Sequence, residues 1–228
     1  IDDIAEMARR CGLGEIFNVG GDGEKEGLVP DREWKQVIQN QRLQLGETLN
    51  VAIGQGAMLA TPLQLAVMTA RLASKRKMMP RLVADDTGVV DNYFEPMDVS
   101  PFHLQTVRRA MEMVMERGGT AFDVRRPKTA AKIAGKSGTA QVRRISIAER
   151  QQEGGVIDNE DLPWQSRDHA LFVCYAPAED PKIAVSVVVQ HGGGGSGVAA
   201  PLARAIVDEA LKIYEEPAPT PPTNEVAP

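Results

Sequence analysis

Gly135-Lys136-Ser137-Gly138-Thr139-Ala140-Gln141 is the stretch from which the rest of this 228-residue chain can be read. It sets a cation, two hydroxyls and two glycines side by side and runs on into Val142. Read as a strand it alternates faces, with Lys136 and Gly138 on one side and Ser137 and Thr139 on the other. At the edge of a sheet its free amides can bond a ligand backbone, and glycine lets that backbone come close. Lys136 would then hold positive charge beside a peptide carboxylate. Taken alone, a glycine-flanked Lys-Ser fits a solvated turn better than a binding strand, so the flanking sequence must separate the two.

Downstream, Arg144 to His169 is polar and poorly periodic, a length that suits a lid or a mobile loop. Asp158 to Pro163 reads as a turn. Two continuous apolar runs follow, Ala170 to Ala176 and Ile183 to Val189, joined by Pro177 to Lys182. Their length and valine content predict a hairpin of buried antiparallel strands, which with the lysine strand makes three consecutive strands of one sheet. His191 to Gly197 lacks both the P-loop and the dinucleotide spacing, so it is read as a flexible connector and not a nucleotide cradle. It leads into a helix from about Ala199 to Tyr214, whose Leu202, Ile206, Val207, Ala210 and Ile213 offer a broad apolar face to the sheet. Pro217 to Pro228 is a proline-rich tail with no core pattern and is expected to be disordered.

Upstream, Ile1 to Cys11 has helical spacing, with Asp2 and Asp3 at the start and Gly12 as the stop. Gly14 to Asp31 reads as an irregular surface segment that Trp34 and Val37-Ile38 anchor to the core. Gly46, Gly54 and Gly56 suggest close backbone approach before Ala60. Thr61-Pro62-Leu63-Gln64 is a strong helix start: Thr61 caps, Pro62 suits the first turn and Gln64 completes a capping box. That helix runs to about Ser74, and Arg81-Leu82-Val83 resembles a short strand. A second helix starts at Ser100-Pro101, with Leu104, Val107, Met111, Val114 and Met115 on one face, and Gly118-Gly119 ends it. The stripe Met111, Met113, Met115 reads as core filling.

Composition narrows the classes of function. Hydrophobic residues at 43% and charged residues at 25% are those of a folded globular chain. The net charge of -5, part of it from Glu215, Glu216 and Glu225, argues against nucleic acid as a partner. Cys11 and Cys174 sit in apolar segments and read as buried free thiols. His103, His169 and His191 have no close ligand spacing, so neither a metal nor another cofactor is expected. No apolar run reaches transmembrane length. The chain opens on Ile1, already inside a helical pattern, and reads as an excised piece.

The order of these elements resembles the C-terminal half of the transpeptidase domain of class B penicillin-binding proteins, in particular the branch that serves the rod-shape elongation system. The resemblance runs over residues 1 to 214. It is carried by Glu15-Ile16 to Gly27, Gly54-Gln55-Gly56, Ala60-Thr61-Pro62-Leu63-Gln64, Lys136-Ser137-Gly138-Thr139 and Asp168-His169-Ala170-Leu171-Phe172 in that order. It implies an α+β fold, an antiparallel sheet flanked by helices, of the kind shared with serine β-lactamases, with 215–228 as the tail. Of the family's three motifs only the lysine motif is present, with Ser137 where threonine is commoner. Ser74-Lys75-Arg76-Lys77 satisfies Ser-x-x-Lys on paper, yet it ends a helix after landmarks that the nucleophile should precede.

The resemblance further implies a peptidoglycan D,D-transpeptidase working through an acyl-serine whose nucleophile lies outside this chain. Lys136 and Thr139 take catalytic roles, and Ser137, Gly138, Thr139 and Gln141 bind substrate. Implied partners are peptidoglycan stem peptides, β-lactams, the missing N-terminal half, a glycan-polymerising glycosyltransferase and rod-shape scaffold proteins. The implied location is the periplasmic side of the inner membrane. A serine β-lactamase or D,D-carboxypeptidase of the same fold, or a catalytically incomplete interaction fragment, remain alternatives.

Overall fold

A computed structural model of the chain describes residues 1–20, 23–83, 94–143, 145, 147–151 and 155–215. The expectation for the tail beyond residue 215 lies outside the described residues. In chain order the elements are α1 (Asp2–Arg10), α2 (Arg32–Gln39), α3 (Leu45–Ala52), α4 (Pro62–Ser74), α5 (Pro101–Met113), β1 (Ala134–Ala140), α6 (Ile147–Gln151), β2 (His169–Ala176), β3 (Ile183–Val189) and α7 (Ala200–Glu215). The three strands form one antiparallel sheet in the order β1-β2-β3. The hairpin forms as the two apolar runs predict. The architecture is α+β, an antiparallel sheet flanked by helices.

The sheet is packed on both faces, and β2 is the buried middle strand. On one face Ala170, Phe172, Cys174 and Ala176 meet Ala199, Ala200, Ala203, Val207 and Leu211. On the other, Tyr175 and Ala134 meet Ala73 of α4 and Met111 of α5. Alanines on both sides of the first interface let α7 lie close to the strand. The apolar face expected for this helix is therefore only partly the buried one. Val207 is buried, whereas Leu202, Ile206 and Ile213 are exposed, because the smaller stripe fits the sheet more closely. Burial pushes the Cys174 thiol up to about 12, and Cys11 is buried and unpaired as well.

Two upstream expectations need correction. Val37 and Ile38 are 70% and 67% exposed and anchor nothing. The inward residue of α2 is Lys35, whose ammonium is satisfied by Glu47 and by Gln39 Oε1. Asp31 caps this helix by accepting from the Trp34 amide at 2.7 Å. The Gly14–Asp31 segment is irregular but not superficial, since Phe17, Val29 and Pro30 are buried. Gln64 holds it. Its Oε1 accepts from the Thr61 amide, completing the capping box, while Nε2 donates to the carbonyls of Glu15 and Glu26 at 2.9 and 2.8 Å. Buried Arg71 adds an ion pair with Glu15 at 2.9 Å and donates to the carbonyls of Arg10 and Met78.

Smaller differences follow the same logic. Arg81-Leu82-Val83 is bent and exposed, not a strand. Ser100 precedes α5 without a side-chain capping bond, so Pro101 alone marks the start. Met111 and Met115 fill the core, but Met113 faces outward. Arg108 of α5 locks the helix layer to the hairpin by donating to the carbonyls of Ala73 and Ala178.

Candidate functional site

β1 pairs with β2 on one side only among the described residues, in the register Lys136↔Val173, Ser137↔Phe172, Gly138↔Leu171, Thr139↔Ala170. Directly paired residues share a face. Ser137 and Thr139 therefore lie on the α7 side with Phe172 and Ala170, and Lys136 and Gly138 on the opposite side with Val173, as the alternation predicts.

The other margin of β1 is an open edge, and side chains already bond to it. Lys136 is exposed, and its Nζ donates to the Ser137 carbonyl at 2.6 Å. The Thr139 carbonyl accepts from Gln55 Nε2 at 2.9 Å. Gln55 sits between Gly54 and Gly56, both at φ +76, which are turn positions that glycine adopts without strain. Gly46 and Gly54 have open space where a Cβ would be, so close approach is not their role. Their segment instead contains α3, which the sequence reading missed, and the turn that presents Gln55.

Ser137 has a neighbour of its own. Its Oγ lies 3.2 Å from Thr120 Oγ1. Thr120 follows the Gly118-Gly119 turn, where a Cβ on Gly119 would lie 2.3 Å from the carbonyl oxygens of Met113 and Val114. The tight turn is thus what brings a further hydroxyl, that of Thr120, to Ser137. Gln141 lies just beyond the last residue of β1 and is exposed.

The glycine-rich segment after β3 is a packed support, not the flexible connector expected. A π-helical turn, Gly195–Ala199, leads into α7. A Cβ on Gly195 would stand 2.3 Å from the carbonyl oxygens of both Gly138 and Leu171 and 2.9 Å from the Gly138 nitrogen. Gly195 is therefore pressed against the ladder at the residue between Ser137 and Thr139. Gly193 donates its amide to the Asp168 carbonyl at 2.8 Å, and the His191 amide donates to His169 Nδ1 at 2.9 Å.

The polar segment between β1 and β2 is tied down at both ends. Arg143 makes two bonds to Glu149, at 2.8 and 2.7 Å, which hold that carboxyl below its ordinary range. At the far end Asp168 accepts from the Val142 amide and from Asn159 Nδ2, and its own amide donates to Asn159 Oδ1. Trp164 and His169 flank the His191 ring edge-on, with centroids 4.6 and 4.7 Å away. Among the described residues no three His, Cys, Asp or Glu side chains converge as a metal site requires. No helix among them is long and apolar enough to cross a membrane.

The geometry thus offers an edge strand with an exposed cation, two hydroxyls and outward backbone groups, suited to an extended ligand that ends in a carboxylate. Of the residues that the sequence singles out, Lys136, Ser137, Gly138 and Thr139 lie contiguously on β1, and Gln141 lies just beyond it. Sequence reasoning missed Gln55, Thr120 and Gly195, although the glycines beside each were visible.

Known proteins share this fold. Residues 1–208 match the family model described as the penicillin binding protein transpeptidase domain. The chain is 35% identical over 216 residues to the peptidoglycan D,D-transpeptidase MrdA of Acinetobacter baumannii, covering 91% of this chain and 31% of that protein. Among solved structures, PBP2 of Pseudomonas aeruginosa in complex with WCK 5153 aligns with a TM-score of 0.74 at 41% identity, over 92% of this chain and 44% of that one. PBP2 of Helicobacter pylori, solved as a complex with MreC, aligns with a TM-score of 0.75 at 31% identity, over 94% and 36%. The chain spans about a third of the length of the MrdA relatives it matches. With the family model matching residues 1–208, from Ile1 into α7, this chain belongs to the penicillin-binding protein transpeptidase family.

Proposed function

We propose that the chain is the C-terminal wall of a peptidoglycan D,D-transpeptidase site of the elongation type, residues 1–214 forming part of one transpeptidase domain with a proline-rich tail after it. The observation that carries this reading is the open β1 edge, where Lys136 on one face and Ser137 and Thr139 on the other flank a margin that no other strand pairs among the described residues. The relatives named D,D-transpeptidase support it.

In this reading a serine outside the chain attacks the carbonyl of the penultimate D-alanine of a stem peptide. The serine proton and the terminal D-alanine leave, and an amine from a neighbouring stem then takes the acyl group from the serine ester. Lys136 swings from the Ser137 carbonyl to offer positive potential to the substrate carboxylate and to assist proton movement. The Ser137 and Thr139 hydroxyls bond that carboxylate, Gly138 lets the ligand backbone approach, and Gln141 extends the binding edge. The Thr139 amide is one oxyanion donor, and the loss of such a donor lowers the rate about 100- to 1000-fold. A β-lactam enters as a substrate mimic and stays as the acyl ester.

By the same reading the protein works on the periplasmic side of the inner membrane, with its anchor outside these residues. It would meet a glycan-polymerising glycosyltransferase and rod-shape scaffold proteins. The Helicobacter pylori PBP2–MreC complex supports the scaffold partner. Lys136→Ala in the full-length protein tests the site: labelling by a fluorescent penicillin should fall below detection while the protein stays folded. Undiminished labelling would remove Lys136 from the mechanism.

A further inference from the structure

The outward carbonyl of Thr139 is the acceptor that an extended ligand on this edge must use, and the protein fills it itself. In an antiparallel ladder the N–H and C=O of one residue point the same way. The Gln55 bond therefore marks both polar groups of Thr139 as facing the open edge, not β2. A peptide added beside β1 would pair its own N–H with the Thr139 carbonyl and its own C=O with the Thr139 amide. Gln55 Nε2 mimics the first of these contacts at 2.9 Å across a separation of 84 residues.

Several features suit Gln55 to exchange with a ligand rather than to hold the strand permanently. The contact is exposed and neutral, so its net worth is small. Its turn rests on two positive-φ glycines, and Gly54 has no atom packed where a Cβ would be. The next outward carbonyl, that of Ser137, is likewise held by a side chain, the exposed Lys136. The edge is thus covered by two exposed polar side chains.

We propose that Gln55 is a displaceable cap on the peptide-binding edge, competing with the ligand's backbone amide for the Thr139 carbonyl. Its effect falls on ligands that carry an N–H at that place and spares those that do not. The inference rests on reading β1 as the edge where acyl donors bind.

The test compares Gln55→Ala and the near-isosteric Gln55→Met with wild type in the full-length protein. Acylation rate constants are measured for benzylpenicillin, which carries an acylamino N–H on its ring, and for imipenem, which carries a hydroxyethyl group there. Both variants should acylate about 2- to 10-fold faster with benzylpenicillin, the worth of one exposed neutral hydrogen bond, and at the wild-type rate with imipenem. Equal changes for both compounds would make Gln55 a fixed support of the strand and overturn the proposal. Slower reaction with benzylpenicillin, or no change with either, would overturn it too. Wild-type protein that reacts with neither compound would defeat the underlying reading instead, and the cap with it.

Discussion

Gly195→Ala should damage the fold and the site together, because Gly195 packs against the backbone of both. A Cβ there would lie 2.3 Å from the Gly138 and Leu171 carbonyl oxygens, 1.1 Å inside the 3.4 Å at which ordinary contact begins. Neither oxygen can swing aside, since Gly138 and Leu171 are partners in the β1–β2 ladder. Forcing a methyl into such a contact costs about 3 kcal/mol, the upper part of the range for overpacked sites. That loss should lower the melting temperature of the full-length protein by several degrees. Relief by moving β1 would shift Gly138, which lies between Ser137 and Thr139, so acylation by a fluorescent penicillin should slow in the molecules that remain folded. Gly197→Ala is the matched control: nothing lies within 4 Å of its Cβ position, and stability should stay within about 0.5 kcal/mol of wild type. Thermal melts and labelling rates of the full-length protein carry the comparison. If Gly195→Ala melted and labelled like wild type, the packing of the glycine-rich turn behind β1 would be refuted.

Two further predictions concern the structure that holds the helix layer in place. Arg71→Met should cost about 1–3 kcal/mol in urea unfolding, because it leaves the Arg10 and Met78 carbonyls without a donor and the partly exposed Glu15 carboxylate without its partner; no measurable loss would mean that water replaces the guanidinium at both carbonyls. The Asp31 carboxyl is held below its ordinary range first by the Trp34 amide and then by Arg9, so the folded state favours the charged form. Its contribution is complete above the ordinary Asp range near pH 4 and fades as pH falls through the lowered folded value. The stability gap between wild type and Asp31→Asn should accordingly be present at pH 7 and close on acidification, whereas a gap of constant size would assign the effect to packing.

What the sequence shows is governed by how local the physics is. The hairpin was legible because Ala170–Ala176 and Ile183–Val189 carry their strand signal within themselves. The start of α4 was legible because Thr61, Pro62 and Gln64 act within one turn. The second task of Gln64, bonding the carbonyls of Glu15 and Glu26, lies 49 and 38 residues away and leaves no local trace. Val37-Ile38 misled because apolar character was taken as burial, while Lys35 turned inward once Glu47 and Gln39 satisfied its charge. Glycines were the hardest to assign. Gly54 and Gly56 serve turn conformations, whereas Gly195 serves close contact, and the run from Gly192 to Gly195 does not say which of its members meets a backbone.

The candidate site divides the same way. Lys136, Ser137, Gly138 and Thr139 are contiguous, so one short motif exposes them all. Thr120 reaches Ser137 across 17 residues and Gln55 reaches Thr139 across 84, and both depend on the folded sheet. Once β1 is placed at an open edge, the motif is no longer an ambiguous turn.

The most direct test of the central claim is peptide-level mass spectrometry after incubation with a β-lactam, on the full-length protein and on this chain alone. The account predicts one covalent adduct on the full-length protein, at a serine outside residues 1–228, and none on the chain alone. An adduct on Ser137, Ser74 or any other residue of this chain would contradict it.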